Sequence, residues 1–270
     1  MALKGNELRK VSSRVALITG ASSGIGAATA RRLGMEGLHV LLLARRRERL
    51  EALAAEIQQA GGSAQVITAD LEQPEQRQAV YTQVSRDFGG LDVLVNNAGL
   101  GWYGYYSDMP MAILHEMMAV NITALTELTR LFLPGMRTRQ RGHIINISSI
   151  AGGMPDQGVA IYAATKAFVD SFTTSLFREL YGSRVHASAV RPGPVKTEFF
   201  PAAAGREAGK PVPAERFAVS ADAVARAVSG LLRHPRRVVY VPWGLALSPL
   251  IEILFSGLID RLGPMLLKRD

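Results

Sequence analysis

Tyr162 and Lys166 stand four residues apart, and Ser149 precedes the tyrosine by thirteen. These are the side chains in the sequence best suited to moving a proton at a polar bond. A helix places residues i and i+4 on one face, so the ammonium of Lys166 can lie beside the phenol of Tyr162. A free tyrosine ionises near pH 10, and bringing it to about 7 requires roughly 4 kcal/mol of preference for the phenolate. An ammonium about 4 Å away supplies something of that order at an effective dielectric near 20. One lysine nearly suffices, yet an ordinary amphipathic helix produces the same spacing by chance. What raises the pair above coincidence is the apolar run His143-Ile144-Ile145-Asn146-Ile147, which ends in Ser148-Ser149 and delivers a hydroxyl just upstream.

Those residues need elements to hold them. Short apolar runs at 15–19, 40–43, 64–68, 93–96, 143–147, 184–190 and 238–241 alternate with helical spacing at 24–36, 47–60, 74–88, 111–138, 161–180 and 221–232. Strands that are apolar throughout, rather than alternately, are buried on both faces, as a parallel sheet covered by helices requires. The pattern predicts a seven-stranded, mostly parallel, doubly wound α/β sheet with helices on both faces. Ligands bind such sheets at the carboxyl ends of the strands, where Ser149 would emerge.

The first predicted strand runs into Thr19-Gly20-Ala21-Ser22-Ser23-Gly24-Ile25-Gly26 and then a helix. Glycine permits a tight turn and close backbone approach, and the following helix N-terminus offers unpaired N–H groups to a phosphate. Ser22 and Ser23 add hydroxyl donors. The glycine spacing differs from the common dinucleotide fingerprint, so position carries more than composition here. The second strand ends Leu43-Ala44-Arg45-Arg46, with no acid to hold a ribose 2′-hydroxyl and with Arg45 offering a planar fork to a 2′-phosphate. Arg46 and Arg49 could assist, or all three could begin a solvated helix. Asp70 and Leu71 follow the third strand, where they could meet an adenine ring, although Asp70 could equally cap a helix. Asn97, Ala98 and Gly99 after the fourth strand suit a ribose lying against backbone, or a structural turn.

Composition bounds the remainder. The chain has 270 residues, 48% hydrophobic and 20% charged, and a formal net charge of +8. These proportions fit one large globular unit, read as residues 13–242 after a polar tail at 1–12. Absence of cysteine removes disulfides, thiolate metal ligands and a cysteine nucleophile and fits a cytoplasmic location; no metal site is expected. The basic clusters at Arg45–Arg47, 137–141 and 233–237 lack interleaved aromatics, which reads as solvated faces rather than a nucleic-acid surface. Residues 199–219, rich in Ala, Gly and Pro, look like a substrate lid. The loop 100–110, with Trp102, Tyr103, Tyr105 and Tyr106, joins 152–159 as a candidate apolar pocket wall or a packed surface turn. Residues 243–270 form an apolar extension interrupted by Glu252 and Asp260. It is expected to pack on the domain or a partner subunit rather than to span a membrane, with membrane-surface docking as the lesser alternative.

In register over residues 13–197, the sequence resembles the short-chain dehydrogenase/reductase family. The resemblance rests on TGxxxGxG at Thr19 to Gly26, NNAG at Asn96 to Gly99, Asn121, Ser149, YxxxK at Tyr162 and Lys166, and Pro192-Gly193-Pro194-Val195-Lys196-Thr197. It implies a Rossmann-type fold and an enzyme that transfers a hydride between NADP(H) and a carbonyl or alcohol. Tyr162 would be general acid or base, Ser149 would hydrogen-bond the substrate oxygen, and Lys166 would hold the nicotinamide ribose. Asn121 would bend its helix and hold a water leading to Lys166. Pro192, Gly193, Val195 and Thr197 would lie along the nicotinamide. Family members with a basic residue at the position of Arg45 prefer NADP. The family also implies a homodimer or homotetramer paired through the long helices. The substrate is expected to be hydrophobic, with 3-oxoacyl-thioester reduction as an alternative and a non-catalytic NADP(H)-binding sensor or scaffold as a reading from another class.

Overall fold

In a computed structural model, residues 14–211 and 218–262 are described, which leaves the 1–12 tail, part of the 199–219 lid and the end of the apolar extension outside. The chain runs β1 (Val15–Thr19), α1 (Gly24–Met35), β2 (His39–Ala44), α2 (Arg47–Gln59), β3 (Ser63–Thr68), α3 (Pro74–Phe88) and β4 (Val93–Asn96). It continues through α4 (Met111–Met118), a π-helical turn (Ala119–Ala124), α5 (Leu125–Thr138), β5 (Gly142–Ile147), α6 (Ala160–Glu179), β6 (Val185–Pro192) and β7 (Val195–Lys196). It then passes through α7 (Phe199–Ala204), β8 (Val219–Ser220), α8 (Ala221–Arg233), β9 (Val238–Val241) and α9 (Ser248–Leu262).

Seven strands form one parallel sheet in the order β3-β2-β1-β4-β5-β6-β9. Strand side chains alternate between faces, and here both faces are apolar because both are covered. Ala16, Ile18, Val40 and Leu42 point to a core shared with Leu33 of α1, Leu50 and Ile57 of α2, and Val224 and Val228 of α8. Val15, Leu17, Leu41 and Leu43 point to the other, shared with Val84 of α3, Leu128 and Phe132 of α5, and Leu176 of α6. Fully burying a leucine or isoleucine side chain contributes about 1.5–3 kcal/mol, so a one-residue slip of β1 or β2 would misplace several such contributions at once.

The doubly wound architecture agrees with the sequence reading, and the differences are local. β6 extends two residues beyond its expected end because Arg191 and Pro192 pair with Tyr240 and Val241 of β9. The expected single helix over 111–138 is divided by the π-helical turn at Asn121. The lid contains helix α7, and β8 at its end pairs with β7 just before it, where the sequence suggested a loop or lid without regular structure. The sheet order reverses direction beside β1, whose neighbours are β2 and β4. A crevice opens there at the carboxyl ends, and Gly20, Asn97, Ser149 and Gly193 all emerge along that edge.

Candidate active site

The crevice is a cleft of roughly 570 Å³, bounded by the turn after β1, the ends of β2 to β6 and the start of the lid. Its end at the turn after β1 is shaped by backbone. Gly20 and Gly24 have φ of +65° and +54°, and a Cβ on Gly24 would stand 2.9 Å from the Thr197 methyl. A Cβ on Gly26 would stand 2.3 Å from the Gly20 carbonyl oxygen, so α1 can start against the turn only without a side chain there. Ser22 and Ser23 accept hydrogen bonds from Arg46, at 3.0 and 2.8 Å from Nη2. Arg46 therefore reaches the cradle, while Arg45 turns toward Asp70 at 4.0 Å and Glu116 at 3.7 Å. Both line the cleft. Arg49 lies beyond the cleft lining and bonds Glu198 at 2.6 and 2.7 Å; Arg46 bonds the same carboxylate at 2.9 Å. The two guanidinium groups hold Glu198 below the usual carboxylate range.

Along the floor, Thr19 Oγ1 accepts from the backbone N–H of Asn97 and Ala98, both at 2.9 Å. The Asn97 amide donates to the carbonyl oxygens of Thr19 and Gly20. Its side chain thus fixes the turn, which leaves Ala98 and Gly99 as bare cleft surface. Asp70 Oδ1 accepts from the Glu72 N–H at 3.1 Å, a local turn rather than a helix cap, since the N-cap position of α3 is Gln73. Leu71 is buried, and its carbonyl accepts from buried Arg77 at 2.6 Å. Pro192, Gly193, Val195 and Thr197 form the opposite wall. The Gly193 N–H donates to Val241 O at 2.9 Å, anchoring that segment to β9.

Ser149, Tyr162 and Lys166 meet where β5 and α6 converge. Ser149 leaves β5 with extended backbone, and Tyr162 is hydrogen-bonded to its side chain. Lys166 Nζ donates to the Ile147 carbonyl at 2.9 Å and lies 5.7 Å from the centre of the Tyr162 ring. Burial raises the Tyr162 phenol to about 12, with the Ser149 bond opposing, and lowers Lys166 to about 8, with Asp170 opposing. This is the reverse of the depression that spacing alone suggested for the tyrosine. The ammonium lies over the ring and bonds a carbonyl, and desolvation of the phenolate outweighs its attraction.

Asn121 occupies the π-helical turn, where the extra residue pushes its side chain out of helical register. Its amide donates to Leu100 O at 3.0 Å and Thr165 Oγ1 at 3.1 Å, and its oxygen accepts from the Leu100 N–H at 2.8 Å. Asn121 thereby ties the turn after β4 to the helix that carries Tyr162 and Lys166. Gly99 lies against both Asn121 and Lys166: a Cβ there would be 3.4 Å from Asn121 Oδ1 and 3.5 Å from Lys166 Nζ, an ordinary contact.

A model of the short chain dehydrogenases matches residues 14–207. The chain belongs to the short-chain dehydrogenase/reductase family. Among relatives of this short-chain dehydrogenase is serine 3-dehydrogenase of Agrobacterium fabrum, 36% identical over 82% of this chain and 89% of that protein. A very-long-chain 3-oxoacyl-CoA reductase of Anas platyrhynchos is 38% identical over 68% of this chain and 60% of its own length. A short-chain dehydrogenase from Sphingobium yanoikuyae, solved in complex with NADPH, superposes with a TM-score of 0.80 at 32% identity and covers 92% and 95% of the two chains.

The structure of this short-chain dehydrogenase also contains site residues that the sequence reading passed over. Asp170, one turn beyond Lys166, lies 2.9 Å from Arg191 Nε, off the line of a good hydrogen bond and almost wholly buried. Its signal was an acid on the buried stripe of α6. Asn96 donates to Asn146 at 2.9 Å and Thr129 at 3.1 Å, while Asn146 donates to Thr173 at 2.8 Å, bracing β4 and β5 against α5 and α6. Amides inside apolar strands were the signal there. Phe199 of α7 lies 5.4 Å from the Tyr162 ring and covers it. Of the aromatic loop, Tyr103 lines the cleft, whereas Trp102 is buried with Ile113 and Met117 and bonds Glu207 O at 3.0 Å. Tyr106 is exposed. Trp102 is thus packing that holds the lid, while Leu100, Tyr103, Met154 and Val159 of the expected wall do line the cleft. Among the described residues no cluster of three or more His, Asp or Glu could hold a metal ion.

Proposed function

We propose that this protein is an NADP(H)-dependent oxidoreductase that interconverts a carbonyl compound and its alcohol, with Tyr162 as general acid or base. One observation carries the reading: Ser149, Tyr162 and Lys166 converge in the same continuous cleft that begins at the Gly20–Gly24 cradle. The cradle suits a pyrophosphate, because side chains are excluded where it would approach and the α1 N-terminus faces the space. Arg45 and Arg46, both lining that end with no acid at Ala44, suit a ribose 2′-phosphate. Asp70 and Leu71 would flank the adenine, with Ala98, Gly99 and Lys166 along the ribose and Pro192, Gly193, Val195 and Thr197 against the nicotinamide. NADPH in the Sphingobium relative supports this assignment.

A bound nicotinamide would supply the hydride in reduction and accept it in oxidation. The protein's own groups then handle the oxygen. Ser149 donates a hydrogen bond to the carbonyl oxygen, which stabilises negative charge as it develops. Tyr162, whose phenol stays protonated at neutral pH when raised to about 12, gives its proton to that oxygen. Lys166, ionised below about 8, places its charge beside the site and favours the phenolate left behind. Asn121 positions both helix and turn. A resting site holding a protonated tyrosine is ready for reduction, and alcohol oxidation would require the phenolate first.

Ile150, Met154, Tyr103, Phe199 and Phe200 line the far end of the cleft and favour a hydrophobic carbonyl compound. Likeness to the 3-oxoacyl-CoA reductase supports an acyl thioester as the second reading. Exposed Met111, Met118 and Phe168 on α4 and α6 suit pairing of subunits through the long helices. The test is NADPH consumption with a panel of aryl ketones, diketones, long-chain aldehydes and 3-oxoacyl thioesters. Turnover of a hydrophobic ketone is expected. Turnover of 3-oxoacyl thioesters alone would select the second reading, and tight NADPH binding with no turnover of any compound would replace both with a sensor or scaffold.

A further inference from the structure

Helix α9 is turned inside out. At 3.6 residues per turn, Leu250, Ile251, Ile253, Leu254, Phe255 and Leu258 fall within an arc of about 200°, and every one of them is exposed. Ser248 and Glu252 fall on the opposite side, where Ser248 is buried and Glu252 half-buried, with a buried oxygen on each lacking a hydrogen-bond partner. A surface helix of a soluble protein does the opposite, turning its apolar stripe inward and its polar side to water. The segment Trp243–Arg261 is long and apolar enough to cross a membrane by length and composition, and almost none of it is buried. The described apolar residues of this segment do not pack on the domain, which leaves a partner subunit or a membrane surface from the sequence reading to cover them.

We propose that α9 docks this protein on the surface of an anionic lipid bilayer, its apolar arc entering the boundary between headgroups and acyl chains. Three features favour lipid over a second copy of the chain. The arc is about twice the roughly 100° stripe that one packed helix covers, and a fluid headgroup–acyl boundary can receive an apolar face of that width. Trp243, 83% exposed, stands at one end, and Arg261 at the other is followed in sequence by Lys268 and Arg269. Tryptophan, arginine and lysine are the side chains that settle at headgroup level. The chain's formal net charge of +8 adds attraction to anionic lipid. Glu252 and Asp260 favour a helix lying in the interface over one that spans it.

The root of the helix sits beside the cleft. A Cβ on Gly193 would be 2.7 Å from Leu245, and one on Gly153 would be 3.7 Å from Pro249. Docking would bring the cleft entrance within reach of apolar molecules dissolved in the bilayer.

The test is flotation of the full-length protein with vesicles of phosphatidylcholine, alone or with a third phosphatidylglycerol. Co-flotation with the anionic vesicles and a blue shift of Trp243 emission are expected. Ile253→Ser with Leu254→Ser should weaken partitioning by at least about tenfold. Leu250→Ser with Phe255→Ser provides an independent pair, and all four side chains are exposed, so circular dichroism should be unchanged. Protein left unfloated by both vesicle types overturns the proposal. So does a folded variant that floats as well as the parent, or one that only converts a dimer to a monomer.

Discussion

At the residue scale, the cofactor end of the cleft is a balance of charges that the sequence disclosed only in part. Arg45 was legible because it ends a strand whose register is fixed by apolar neighbours. Glu198 was not, because it meets Arg46 and Arg49 about 150 positions away. Its carboxylate neutralises Arg46, one of the two cations that a 2′-phosphate would approach. Hydrogen bonds to charged groups contribute about 1.5–3 kcal/mol, so Arg45→Ala and Arg46→Ala should each raise the KM for NADPH by roughly ten- to a hundredfold and change that for NADH little. Glu198→Gln should act in the opposite sense, tightening NADPH binding by about two- to fivefold, the scale of an exposed ion pair. Equal effects on both cofactors would remove the 2′-phosphate from this account. The ionisation of Tyr162 belongs to this scale too. Spacing revealed its lysine neighbour but not the burial that dominates.

At the element scale, strand and helix placement followed from period and punctuation, since the inner strands are apolar on both faces and the helices flanking the sheet keep one polar side. What escaped were features that depend on remote pairing. β6 gains its last two residues from β9, and the π-helical turn at Asn121 exists where an amide bridges Leu100 and Thr165. The sheet carries a pH dependence of its own. His143 on β5 is buried against Ser188 of β6 at 2.8 Å, and because the Ser188 hydroxyl donates to Arg236 O, the ring Nε2 must be the donor. Burial first, then His186 and Arg14, lowers its pKa to about 3. The unfolded chain binds this proton near pH 6.5, so the stabilisation is fully present above that pH and is lost as pH falls toward 3. The loss should reach about 2 kcal/mol by pH 5. Urea unfolding at pH 7.5 and 5 should therefore show a steeper decline in the parent than in His143→Asn, and parallel declines would contradict the assignment.

At the scale of the whole molecule, the architecture and the position of the cleft were readable because both follow from chain order in a parallel sheet. The disposition of α9 was not, because hydropathy reports that residues 248–262 are apolar without reporting which way they face. The lid was readable as a departure from rhythm, but its anchorage through Trp102 to Glu207 and through Arg206 to Glu116 joins segments far apart in sequence. Together the sheet edge, lid and long helices bring the glycine turn after β1 and the Tyr162 phenol into one cleft, and the proposed reaction needs both halves. Tyr162→Phe tests it most directly, because the phenyl ring preserves packing against Phe199 and leaves the cradle untouched. With a ketone turned over by the parent, NADPH oxidation should fall by at least about a hundredfold, the scale of positioned acid catalysis, while NADPH binding measured by fluorescence stays within a few-fold. Turnover close to that of the parent, with NADPH bound as before, would show that Tyr162 is not the proton donor.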